Sequence, residues 1–148
     1  MFFGEYKHSL DDKGRLTLPA KFREDLARGL TIVRGEEYCL LAYPEESWIR
    51  RRDEELERYR GTRANRDIAR AILGGADDSL RLDKSGRVLI KDYLRDYARL
   101  ELEKEVMIVG LGDVIELWNE EGWIEARQRG LDRIANRDEA DPVLLLRD

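Results

Sequence analysis

Two short stretches of the chain hold the residue types best suited to binding chemistry. Leu10-Asp11-Asp12-Lys13-Gly14-Arg15 and Leu82-Asp83-Lys84-Ser85-Gly86-Arg87 share the pattern Leu-Asp-x-x-Gly-Arg, and each is followed by three apolar or β-favouring residues. An aspartate at the head of a tight turn accepts nearby backbone N–H groups, and a glycine three residues on supplies a positive φ. Asp11, Gly14, Asp83 and Gly86 are therefore expected to build turns and nothing more. A turn needs no arginine after it. Arg15 and Arg87 are read as binding residues: a two-stranded β-ribbon fits the major groove of DNA, and a guanidinium at its end reaches a guanine bidentately or a phosphate. Lys13, Lys84 and Arg81 lie on the same hairpins and suit phosphate contacts, which position a protein without specifying sequence. Lys21, Arg23, Lys91 and Arg95 follow on short helices and fit solvated charge equally well.

Catalytic chemistry has few candidates. His8 and Cys39 each stand alone, and four serines complete the nucleophile inventory, so no nucleophile, base and orienting group can be assembled. No Gly-x-x-x-x-Gly-Lys-Ser/Thr or Gly-x-Gly-x-x-Gly run is present to cradle a phosphate. The carboxylates fall mostly among basic neighbours on helices. One cysteine makes no internal disulfide, and with one histidine it makes no zinc cluster. The reading is of a non-enzyme with no cofactor, no metal and no small-molecule substrate.

The elements that must carry the two motifs repeat along the chain. At an offset of 72, Leu10–Leu18 lies over Leu82–Ile90 and Phe22-Arg23 over Leu94-Arg95; at 76, Thr31-Ile32-Val33 lies over Met107-Ile108-Val109 and Leu41 over Leu117. Pro44-Glu45-Glu46-Ser47-Trp48 then matches Asn119-Glu120-Glu121-Gly122-Trp123. Each copy reads as strand, turn, return strand, short helix, hairpin and helix. The first strands are Phe3–Leu10 and Ser79–Leu82, and the return strands Arg15–Leu18 and Arg87–Ile90, so each motif is expected to close its own ribbon, two ribbons in all. A short helix spans Ala20–Ala27. Hairpins follow at Leu30–Val33 with Cys39–Ala42 and at Val106–Val109 with Val114–Trp118. Longer helices are expected at Pro44–Arg60, with an i,i+4 ion-pair face that includes Arg51/Glu55, at Arg63–Leu73 with a stripe of Ala64, Ile68 and Ile72, and at Glu120–Ala135 with Asn119 as N-cap. Gly74-Gly75 marks the join, which divides the chain into residues 1–75 and 76–148.

The chain has 148 residues and a formal net charge of −5, a balance that by itself argues against nucleic acid. The deficit is local. Residues 8–23 carry four Lys/Arg against two Asp and residues 80–95 five against two, whereas residues 100–148 carry six against thirteen Asp/Glu. No apolar run approaches the ~20 residues that span a bilayer, and Glu5, Lys7 and His8 interrupt any leader; a cytoplasmic protein is expected. The apolar run within Ala140–Leu146 has no assigned role.

The run from Met1-Phe2-Phe3-Gly4-Glu5-Tyr6 through Leu10-Asp11-Asp12-Lys13-Gly14-Arg15-Leu16-Thr17-Leu18-Pro19-Ala20-Lys21-Phe22-Arg23, with its second copy from Leu82 to Tyr97, resembles the MraZ family of bacterial transcriptional regulators. The resemblance implies an α+β fold of two tandem AbrB-like, swapped-hairpin β-rich repeats with pseudo-twofold symmetry and peripheral helices. It implies a homo-oligomeric ring on the nucleoid that binds double-stranded DNA at direct repeats, in the promoter of its own division and cell-wall gene cluster. Arg15 and Arg87 take the DNA-contact role. The second copy has Lys91-Asp92 where the family has a proline after the return strand. The rival reading is an oligomeric scaffold, with the duplicated hairpins as subunit interfaces.

Overall fold

A computed structural model describes residues 1–136; the Ala140–Leu146 run lies outside them. The β-favouring runs form β1 (Phe2–Ser9), β2 (Arg15–Thr17), β3 (Leu30–Arg34), β4 (Leu40–Pro44), β5 (Asp77–Leu80), β6 (Arg87–Leu89), β7 (Glu105–Gly112) and β8 (Ile115–Asn119). Between and after them lie α1 (Ala20–Arg23), α2 (Glu45–Arg58), α3 (Arg63–Leu73), α4 (Asp92–Ala98) and α5 (Glu120–Asn136). The helix expected over Ala20–Ala27 tightens after Arg23 into a 3-10 turn at Glu24–Leu26. Asn119 caps α5 as its sequence position suggests, its Oδ1 accepting the Gly122 N–H at 2.6 Å.

Six strands form one antiparallel sheet in the order β1-β7-β8-β4-β3-β5. Exchanging the repeats turns that order into itself. β1 of the first repeat pairs along its length with β7 of the second, from Phe2 opposite Gly112 to Ser9 opposite Glu105, while β5 of the second repeat pairs with β3 of the first. At the centre β4 meets β8, with Leu40 opposite Leu117 and Leu41 opposite Glu116, so the pseudo-twofold axis runs between these strands.

The return strands pair with each other. Arg15 lies opposite Leu89, Leu16 opposite Val88 and Thr17 opposite Arg87, forming a separate two-stranded sheet. This corrects the expectation of two self-closed ribbons: β1 and β2 share only the bridge between Leu10 and Leu16. Three residues of β2, stopped by Pro19, are too few to cover an eight-residue β1, whose edge goes to the equally long β7.

Both faces of the large sheet are covered. On one side Leu16, Leu18, Phe22, Val88, Ile90 and Leu94, from the ribbon, α1 and α4, pack onto Ile32, Leu40, Ile108 and Leu117. On the other, Trp48, Ile72, Leu73 and Trp123 from α2, α3 and α5 pack onto Val33, Leu41, Met107 and Trp118. Strand residues of alternating parity feed the two cores, as a pleat requires.

Two helix readings change. Glu55, expected on a solvated face, is fully buried between Arg51 Nε at 3.1 Å and Arg58 Nη1 at 2.8 Å, with Arg51 also donating to the Tyr43 hydroxyl at 3.2 Å. On α3 the inward side is Ala69, Ile72 and Leu73, and Ile68 stays 49% exposed.

Candidate nucleic-acid interface

The two Asp-x-x-Gly-Arg turns have nearly superimposable bonding. Asp11 Oδ1 accepts the N–H groups of Lys13 at 2.9 Å and Arg15 at 2.8 Å, and Asp83 Oδ1 accepts those of Ser85 and Arg87, both at 2.9 Å. Gly14 and Gly86 carry φ values of +86° and +76°, where a side chain would be strained. The second carboxylate oxygen of each aspartate takes the arginine: Arg15 Nε donates to Asp11 Oδ2 at 2.7 Å and Arg87 Nε to Asp83 Oδ2 at 2.8 Å. The ion pair thus uses only the Nε side of each guanidinium. Among the described residues the Nη nitrogens of both arginines make no hydrogen bond, leaving a planar pair of donors that matches a guanine edge or a phosphate.

Strand parity decides where those donors sit. Leu16 and Val88 are buried beneath the ribbon, so Arg15, Thr17, Arg87 and Leu89 share its outward face. Arg15 and Arg87 are diagonal neighbours across one antiparallel pair, with Cα atoms about 7–8 Å apart. The ribbon therefore presents two arginines about a local twofold axis, with half-exposed Leu89 opposite Arg15.

The remaining predicted residues divide. Lys13 and Lys84 are exposed on the turns, and their ammonium groups make no ion pair or hydrogen bond among the described residues. Arg81 is turned to the scaffold: its Nη1 donates to the Ala27 carbonyl at 3.1 Å. Lys91 pairs with Asp77 Oδ1 at 3.2 Å, and Lys21 Nζ lies 5.0 Å over the Tyr6 ring.

Comparison with known proteins bears on this arrangement. The MraZ protein family matches the chain twice, over residues 1–70 and 72–141. The chain belongs to the MraZ family. Among its relatives, the transcriptional regulator MraZ of Moorella thermoacetica is 42% identical over 126 residues, covering 84% of this chain and 85% of that protein. The namesake from Nocardioides sp. is 42% identical over 142 residues, covering 93% and 94%, and that of Halothermothrix orenii 43% identical over 124 residues, covering 83% and 84%.

Other chemistry in this MraZ-family chain is sparse. Burial pushes the Cys39 thiol up to about 12, with Glu116 and Glu37 adding to the effect, which suits a packed residue rather than a nucleophile. Among the described residues no three His, Cys, Asp or Glu side chains gather to hold a metal ion, and no helix is long and apolar enough to cross a membrane.

The turns themselves titrate. The Arg15 backbone N–H, then the Arg15 guanidinium and the Lys13 N–H, hold the Asp11 carboxyl down at about 2. Asp83 is lowered by the matching contacts, the Arg87 N–H first. A carboxylate whose folded value lies below its unfolded one stabilises the fold fully above the unfolded value, and that stability is lost as pH falls through the folded value. The window runs from about 4 down to about 2. Urea denaturation across that range should show stability falling with acid for the native chain, and a shallower fall for Asp11→Asn; equal slopes would show that the turn carboxylate does not couple to folding.

Proposed function

We propose that the chain is a sequence-specific DNA-binding transcriptional regulator whose reading head is the β2/β6 ribbon. The observation that carries this is the outward pair Arg15 and Arg87, each held by its aspartate through Nε with its Nη donors unengaged. A two-stranded ribbon has the width of the major groove, and a forked guanidinium is the commonest reader of guanine. Lys13 and Lys84 add phosphate contacts beside it. In this reading residues 1–75 and 76–148 are AbrB-like repeats that exchange strands, and the chain assembles into a homo-oligomeric ring. It acts in the cytoplasm, on the nucleoid, at the promoter of its own division and cell-wall gene cluster. Head-to-tail packing of identical chains closes into rings when the rotation permits, and several linked ribbons raise affinity for repeated sites through effective concentration. The acidic remainder of the chain disfavours DNA elsewhere on the surface.

A salt titration tests it. A duplex spanning the region upstream of its own gene should bind with log K falling against log salt at about −0.9 per phosphate neutralised, and more tightly than a scrambled duplex of equal length. A flat salt response, or no preference over the scrambled duplex, removes this reading.

A further inference from the structure

Arg23 and Arg95 hold equivalent places in the two repeats, at the offset of 72, and the structure gives each to the other repeat. The Arg95 guanidinium, on α4, packs against Gly14: a Cβ at Gly14 would stand 2.8 Å from Arg95 Nη1 and 3.2 Å from its Cζ. The Arg23 guanidinium, on α1, packs against Gly86, where a Cβ would collide with its Nε and Cζ. The backbone is crossed in the same sense. The Leu18 N–H donates to the Gly86 carbonyl at 3.0 Å, and the Ile90 N–H to the Gly14 carbonyl at 2.9 Å. Both glycines are buried. Neither arginine is engaged by a carboxylate among the described residues. Arg23 Nε donates to the Leu18 carbonyl at 3.1 Å, and Arg95 Nε is buried without a partner. In a chain with 32 Asp and Glu, two unpaired, partly buried guanidinium planes laid on two turn glycines are packing elements, not solvated charge.

We propose that Arg23 and Arg95 are positioning residues for the DNA-contacting turns, each supporting the turn of the opposite repeat; this rests on the function proposed above. Arg15 is aimed by Asp11, and Asp11 is only as fixed as the turn it heads. Glycine is the freest residue in that turn. A guanidinium plane on Gly14, with a hydrogen bond to its carbonyl from β6's end, removes that freedom and fixes where the Arg15 fork points. Because the support is crossed, a change on α4 in the second repeat loosens Arg15 in the first, and the two turns engage DNA as one unit.

The test is amide hydrogen exchange on the full chain without DNA, paired with binding to the duplex from upstream of its own gene. Arg95→Met should raise exchange at Lys13, Gly14 and Arg15 at least tenfold and leave Ser85, Gly86 and Arg87 unchanged; Arg23→Met should do the mirror image. Each variant should bind the duplex at least fivefold more weakly. If methionine unfolds the chain, Arg95→Lys and Arg23→Lys replace it, with the same crossed pattern expected because lysine keeps charge but not the plane. Faster exchange at both turns equally, at the variant's own turn only, or at neither overturns the proposal, as does crossed exchange with unchanged binding. The Arg15→Ala/Arg87→Ala chain separates the two readings. If it binds as well as the native chain, or the native chain binds no duplex, the DNA reading fails and the positioning role falls with it. If it loses binding while the Arg23 and Arg95 variants do not, only the positioning role falls.

Discussion

Replacing Arg15 and Arg87 together by alanine is expected to weaken binding to the upstream duplex by at least 30-fold while leaving the fold and the size of the assembly unchanged. Each well-placed bidentate arginine contributes about 1–3 kcal/mol of discrimination, so losing two removes about 2–6 kcal/mol, and each 1.4 kcal/mol is a factor of ten. The fold should tolerate the change because both side chains lie on the outward face of the ribbon and reach only their own aspartates. Asp11 and Asp83 keep their backbone N–H donors without the guanidinium, and the buried partners Leu16 and Val88 are untouched. Binding to the native and scrambled duplexes, with sizing of the free protein, reads the result. Discrimination between the two duplexes should collapse, which separates base reading from phosphate contact: Lys13→Ala with Lys84→Ala should weaken both duplexes alike and reduce the salt slope by about one per lysine. A double arginine variant that falls apart, but whose remaining assembly binds normally, would make the ribbon a subunit interface and favour a scaffold.

What was legible in the chain was most of the local structure. The turns at Asp11–Arg15 and Asp83–Arg87 form where the residue types require, and α3 spans Arg63–Leu73 with Gly74 after it, because caps, glycines and aspartates act over four or five residues. The hairpins of neighbouring strands were legible too, β3 pairing with β4 and β7 with β8 as expected, but pairing between the repeats was not. The Asp11 N–H meets the Arg15 carbonyl at 3.0 Å whether the chain then folds back on β1 or leaves it, so the turn is silent about the partner of β2. That partner follows from burial between repeats: Leu16 and Val88 are both covered only when their strands lie side by side over the sheet. The same blindness misplaced Glu55 and left Arg23 undecided. The i,i+4 rule sees an ion-paired helix face but not what covers it, and Arg23 fits solvated charge as well as a contact until Gly86, far along the chain, is brought against it. Nor could the hairpin motif show the contact Arg81 makes, since the Ala27 carbonyl that it donates to belongs to the other repeat.

Phe22→Ala is expected to cost about 3–5 kcal/mol of folding stability, in the range for deleting a buried aromatic side chain. Phe22 is fully buried in the core that the ribbon also packs on, edge-on to Phe2 with ring centroids 5.0 Å apart and to Tyr6 at 5.4 Å. Each such aromatic pair contributes about 0.5–1.5 kcal/mol beyond its buried area. Little can move in to fill the space, because Phe2 and Tyr6 are fixed by the β1/β7 pairing. Phe22→Leu retains much of the volume and should cost about 1.5 kcal/mol or less. Urea denaturation at one protein concentration, so that any assembly contributes equally, measures both. The alanine variant should also be lopsided. Phe22 anchors the four-residue α1 from which Arg23 reaches Gly86, so exchange at Ser85–Arg87 should rise more than at Lys13–Arg15. A cost below about 1 kcal/mol would mean that the site collapses around the deletion, and equal loosening of the two turns would mean that α1 acts through the shared core and not through Arg23.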